Sequence, residues 1–138
     1  MLHKKFGNIF IIRLEKGEEI ITTLSKFLSK KKISSAFFSG IGAVEKAVIG
    51  FYDLNEKKYF WREFMECEVV SLSGNVSILD DRPFIHSHVV LSDISYNCFG
   101  GHLREATAGA TLEIKLEMLD GKIARKFDTV TGLNLLDL

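Results

Sequence analysis

The sequence predicts an α+β fold: a largely antiparallel β-sheet with one main helix near the N-terminus. Three observations carry this. A single stretch shows helical periodicity, most of the remainder alternates apolar and polar residues, and short turn-forming clusters separate the alternating stretches. The 138 residues, 46% of them apolar, suit one domain with a sizeable core, taken as residues 1–138.

Ile9–Leu14 reads as a first strand, stopped by Gly17. From Glu18 to Lys32 the apolar residues Ile20, Ile21, Leu24, Phe27 and Leu28 fall on one helical face. Glu18 and Glu19 at its start and Lys30, Lys31 and Lys32 at its end complement the helix dipole. Ser35–Ser39 reads as a short strand ending at Gly40-Ile41-Gly42, where tight turning is expected rather than a phosphate cradle, because no helix follows. Val44–Tyr52 and Tyr59–Val70 flank the hairpin-like turn Asp53-Leu54-Asn55-Glu56. Ser73-Gly74-Asn75 is expected to break the next pair, and Asp80-Asp81-Arg82-Pro83 to turn into the strand Phe84–Leu91. From Ala106 to Met118 the period of two outweighs the helical propensity of Ala, Leu, Glu and Lys. Asp120-Gly121 then turns into a last strand. One helix covers only part of a sheet face, so the other face closes on itself or meets another subunit. Apolar Phe51, Phe60, Trp61 and Phe64 favour self-association.

Formal net charge is zero, so no global positive field draws the chain to nucleic acid or an anionic membrane. The two cysteines, Cys67 and Cys98, are too few for a disulfide scaffold and read as reduced thiols in a cytoplasmic protein. The longest early apolar run, Ile9–Ile12, is too short for a signal peptide or a membrane span.

Three of the four histidines fall within seventeen positions: His86, His88 and His102. On a strand, i and i+2 point to one face, so His86 and His88 aim at a common point. Gly100-Gly101 permits a close backbone approach and delivers His102 directly after it. The thirteen intervening residues suffice for a loop and an antiparallel return. Three imidazoles commonly hold a transition metal with one position open, where a zinc-bound water has a pKa near ~7. The competing reading is ordinary strand histidines with ordinary hydrogen bonds. Cys98 is read as a free thiol in an apolar setting rather than a fourth ligand, Asp93 as a loop cap, and His3 as a residue at an unanchored terminus. Glu113 is read as a solvated strand carboxylate, with a general-base role as the alternative; Glu68 is a weaker case of the same kind.

Four segments in order resemble one family, the plants-and-prokaryotes conserved (PPC) domain. They are Phe38-Ser39-Gly40-Ile41-Gly42-Ala43-Val44, Glu68-Val69-Val70-Ser71-Leu72-Ser73-Gly74, Pro83-Phe84-Ile85-His86-Ser87-His88-Val89-Val90-Leu91-Ser92-Asp93, and Gly100-Gly101-His102-Leu103 leading to Thr111-Leu112-Glu113-Ile114. The resemblance implies a homotrimeric α+β domain of largely unknown function. It implies a metal site at His86, His88 and His102, with zinc the expected ion and a small-molecule ligand or activated water at the open position. It also implies DNA binding as the alternative role, by analogy to plant members that carry an AT-hook. This chain has no Arg-Gly-Arg-Pro segment, and its one proline is Pro83.

Overall fold

The computed structural model describes all residues, 1–138, as eight strands and one helix. The strands are β1 (Leu2–Phe6), β2 (Ile9–Glu15), β3 (Ala36–Asp53), β4 (Lys58–Leu79), β5 (Arg82–Ser92), β6 (Cys98–Met118), β7 (Ala124–Asp128) and β8 (Leu133–Asp137). The helix, α1, runs Ile20–Lys31 between β2 and β3.

The helix forms where the apolar face predicts, burying Ile20, Leu24, Phe27 and Leu28. Glu19 caps it, its carboxylate accepting from the Ile21 and Thr22 N–H groups at 3.1 and 2.6 Å. The same carboxylate accepts from the Ala106 N–H of β6 at 3.2 Å, tying helix to sheet. Lys32, in the left-handed conformation, ends the helix, with Lys30 and Lys31 in its last turn.

Two expected breaks are absent. The expected strands Ser35–Ser39 and Val44–Tyr52 merge into one, β3, which starts at Ala36 and whose pairing with β4 shifts register between Gly40 and Gly42. The glycines make a bulge, not a turn. Gly42 has φ of 152°, and an added Cβ would stand 2.2 Å from the Thr111 carbonyl oxygen. Ser73-Gly74-Asn75 likewise lies inside the continuous β4. Residues Leu2–Phe6 form β1 on the edge of β2, so His3 is anchored after all. Its ring packs edge-on against Phe10 and Phe27, with centroids 5.9 and 5.0 Å away. The chain also adds two terminal strands where one was expected.

The sheet order is β1-β2-β6-β3-β4-β7-β8, and β5 pairs with both β4 and β6. The strands β3, β4, β5 and β6 therefore close a ring. All pairings are antiparallel except the single parallel contact of Ile78 with Ala124. The helix lies on β5 and β6. One core cluster joins Leu24 and Leu28 of the helix with Ile12 and Leu14, Val76, Leu91, and Leu112, Ile114 and Leu116 of the sheet. Phe51 and its cross-strand partner Phe60 are exposed on one face of β3 and β4, and Trp61 is exposed on the other. No helix is long and apolar enough to cross a membrane.

Candidate metal centre

β5 carries its residues alternately inward and outward. Ser87, Val89 and Leu91 are buried in the core, which turns His86 and His88 to the opposite face. β6 supplies the third imidazole: His102 is the direct cross-strand partner of His88. The approach depends on Gly101, where a Cβ would stand 2.5 Å from the Gly50 carbonyl oxygen of β3. Any larger residue would push β6 away from β3 beside His102.

The three side chains each offer one ring nitrogen, and these nitrogens all lie within 4.8 Å of one another. His86 Nε2 and His102 Nδ1 are 3.3 Å apart. Two imidazoles on one tetrahedral zinc at about 2.05 Å would place their nitrogens about 3.3 Å apart, so that pair matches the edge of such a site. The His88 and His102 ring centroids are 4.1 Å apart, and those of His86 and His102 5.2 Å. His102 is braced by Tyr59, edge-on at 5.2 Å, which itself stacks on Trp61 at 4.6 Å.

Electrostatics favour the neutral form at His86 and His102. Burial pushes the His86 imidazole down to about 4, with help from the Arg125 charge and from His102 and His88. Burial and His88 likewise lower His102. Neutral imidazoles have the lone pairs that a metal requires. With no exposed acid in the cluster and three converging nitrogens, the donor set fits a borderline-soft divalent ion such as zinc.

Beside the centre, Phe37, Phe38, Ser73, Gly74, Asn75, His86 and His88 line an open cleft of about 300 Å³. A larger depression, about 640 Å³, lies elsewhere, among Glu45, Glu66, Cys67, Glu68, Asp93 and Tyr96. Its thiol is unreactive in character: burial raises Cys67, and its S–H donates to the Met65 carbonyl. The smaller cleft holds the convergent ligand atoms and is the better candidate.

Other expected residues do not join the centre. Glu113 pairs with Ile41 of β3, whereas His102 pairs with Gly50, nine residues and roughly 30 Å of strand away. The general-base alternative for Glu113 therefore falls. Glu68 lines the larger depression. Cys98 is exposed rather than in an apolar setting. Asp93 caps its loop as expected, accepting from the Ser95 and Asn97 N–H groups at 2.9 and 3.0 Å. Arg125 and Asn75, near His86, escape sequence reasoning because only the long-range pairing of β4, β5 and β7 brings them there.

Fold and site together define an antiparallel-sheet protein with one covering helix and a three-imidazole centre on paired strands. Residues 1–120 match the Plants and Prokaryotes Conserved (PCC) domain family, and the chain belongs to that family. It is similar to a metal-containing protein from Archaeoglobus fulgidus: 38% identity, TM-score 0.88, covering 100% of this chain and 99% of the other. A candidate DNA-binding protein from Bacteroides thetaiotaomicron is 29% identical at TM-score 0.95, covering 99% and 96% of the two chains. The bifunctional protein GlmU of Synechococcus sp. (strain JA-3-3Ab) is 28% identical over 127 residues, 90% of this chain. The chain spans only 19% of that relative's length.

Proposed function

We propose that this protein binds a single transition metal ion, zinc, through His86, His88 and His102, and that it works as a homotrimer. The observation that carries the reading is the convergence of three imidazole nitrogens within 4.8 Å on two paired strands. The metal-containing Archaeoglobus relative, alike over the whole chain, supports it. Exposed Phe51 and Phe60, cross-strand partners on β3 and β4, support self-association. A zinc ion with three protein ligands would supply a Lewis-acid position to a small ligand's oxygen or a water. The chain's own part is to hold three ring nitrogens by strand pairing, to favour the neutral form of His86 and His102 by burial, and to offer an open cleft beside them. Elemental analysis of the purified wild-type protein and of H86A/H88A tests the reading. Metal in the first and none in the second supports it.

A second reading, DNA association, is favoured by the Bacteroides relative and by one local feature. Lys4, Lys5 and Lys31 surround an open depression beside His3 and Phe10, a basic patch on a chain of zero net charge. Phosphate-dominated binding weakens steeply with salt. Failure to retard a duplex at low salt would remove this reading.

A further inference from the structure

Arg125 enters from β7 and lies across the face that carries the histidines. Its guanidinium sits over the Phe84 ring, 4.7 Å from the centroid. Its Nε donates to Ser77 Oγ at 2.7 Å, Nη1 to the Asn134 carbonyl at 2.6 Å and Nη2 to Asn75 Oδ1 at 2.8 Å. Every acceptor is neutral. No carboxylate stands within ion-pair distance, although the chain's other ion pairs are numerous. A partly buried cation held by neutral acceptors keeps its charge uncompensated, at an electrostatic cost that an incoming anion would relieve. Burial does lower the Arg125 pKa, but a guanidinium stays protonated at any physiological pH.

The placement is specific. Phe84, His86 and His88 are alternate residues of β5 and share a face, and their β4 partners are Ser77, Asn75 and Ser73. The guanidinium over Phe84 is therefore one same-face step, roughly 7 Å, from His86. Asn75 links the two, bonded to Arg125 and lining the cleft with His86 and His88. A charge-assisted hydrogen bond takes up about 2.8 Å of such a span and a metal–oxygen bond about 2 Å. The remainder suits two oxygens of one small molecule. The cleft's other walls include Phe37 and Phe38, which favour a ligand with a carbon skeleton.

We propose that Arg125 and the open side of the histidine centre together take a small organic acid, whose carboxylate pairs with the guanidinium while a neighbouring hydroxyl or oxo oxygen meets the metal ion. The proposal rests on the metal reading above. Arg125 lies beyond the residues that match the family, 1–120, so this half of the site is built by the chain's last strands.

The test is calorimetric titration of zinc-loaded protein with glycolate, with ethylene glycol as its neutral counterpart and with inorganic phosphate. R125Q and R125K are compared with wild type, with metal content as the check on each variant's fold. Glycolate affinity is expected to fall about 10- to 100-fold in R125Q, as for a lost hydrogen bond to a charged group, with metal content unchanged. R125K should fall between, keeping the charge without the planar fork. Equal glycolate affinity in wild type and R125Q, or ethylene glycol or phosphate binding as tightly as glycolate, overturns the proposal. If wild-type protein takes up no zinc, the metal reading fails separately. The metal-free chain then decides the Arg125 half: R125Q-sensitive glycolate binding supports it, and no binding overturns it.

Discussion

His88 and His102 face each other across the β5–β6 pairing, their ring centroids 4.1 Å apart. This pairing fixes the third imidazole without any loop: strand register alone sets the separation. His86, one same-face step along β5, completes the group. Sites built on paired strands are held by backbone hydrogen bonds, so single side-chain changes should alter the chemistry with little loss of fold.

H102A should therefore leave the far-UV circular dichroism unchanged and weaken zinc on the order of 100-fold or more, since even outer supporting groups are worth 10–100-fold. Competition with a chromophoric chelator measures the change. Unchanged affinity would remove His102 from the ligand set.

The metal-free protein should lose stability as pH falls from 6.5 towards 4. His86 has its pKa lowered from 6.5 to about 4 in the folded state by burial, the Arg125 charge and its neighbouring imidazoles. The unfolded chain then binds the extra proton over that window, so unfolding free energy rises with pH there. Urea titrations at pH 7 and pH 5 should show a smaller pH effect in H86Q than in wild type.

G101A should be destabilising by about 1–3 kcal/mol, because its Cβ would press on the Gly50 backbone rather than on a side chain that can turn away. Since β6 must shift beside His102, zinc affinity should fall as well. Chemical denaturation and chelator competition on the same preparation would separate the two effects.

E19A should cost about 2 kcal/mol, combining a lost helix cap with an unpartnered Ala106 N–H. Burial alone would raise the Glu19 pKa, but hydrogen bonds from Thr22, Ala106 and Ile21 hold it below 4.5. Its contribution is therefore present above pH 4.5 and is lost as pH falls below that value. Wild type and E19A should converge in stability towards acid, as measured by thermal melts.

S87A should be neutral or stabilising by up to about 1 kcal/mol. Ser87 lies between His86 and His88 in sequence but faces the core, and its buried Oγ has no hydrogen-bond partner. Zinc affinity should not change in this variant, which separates the two faces of β5.

The helix and the histidine centre were legible because each rests on local periodicity: five apolar residues on one helical face, and two histidines at i and i+2. The position of the third imidazole was legible because Gly100-Gly101 marks a close approach, which the Gly50 contact bears out. Long strands were not. Gly40, Gly42 and Gly74 read locally as breaks, yet Gly40 and Gly42 flank a bulge inside β3, and Gly74 leaves room in β4 for the Phe38 ring. β1 was missed because all five of its residues are exposed, so no burial alternation marks it. Arg125 was beyond sequence reasoning because its place over Phe84 depends on β7 meeting β4 at one ladder pair, Ile78 with Ala124, far along the chain.

The most direct test of the central claim is the metal content of purified protein by plasma mass spectrometry, per chain, with the solution mass measured on the same sample. One zinc per chain in a trimer, lost in H86A/H88A, is the predicted result. Wild-type protein that holds no stoichiometric metal and acquires none on incubation with zinc would contradict the account.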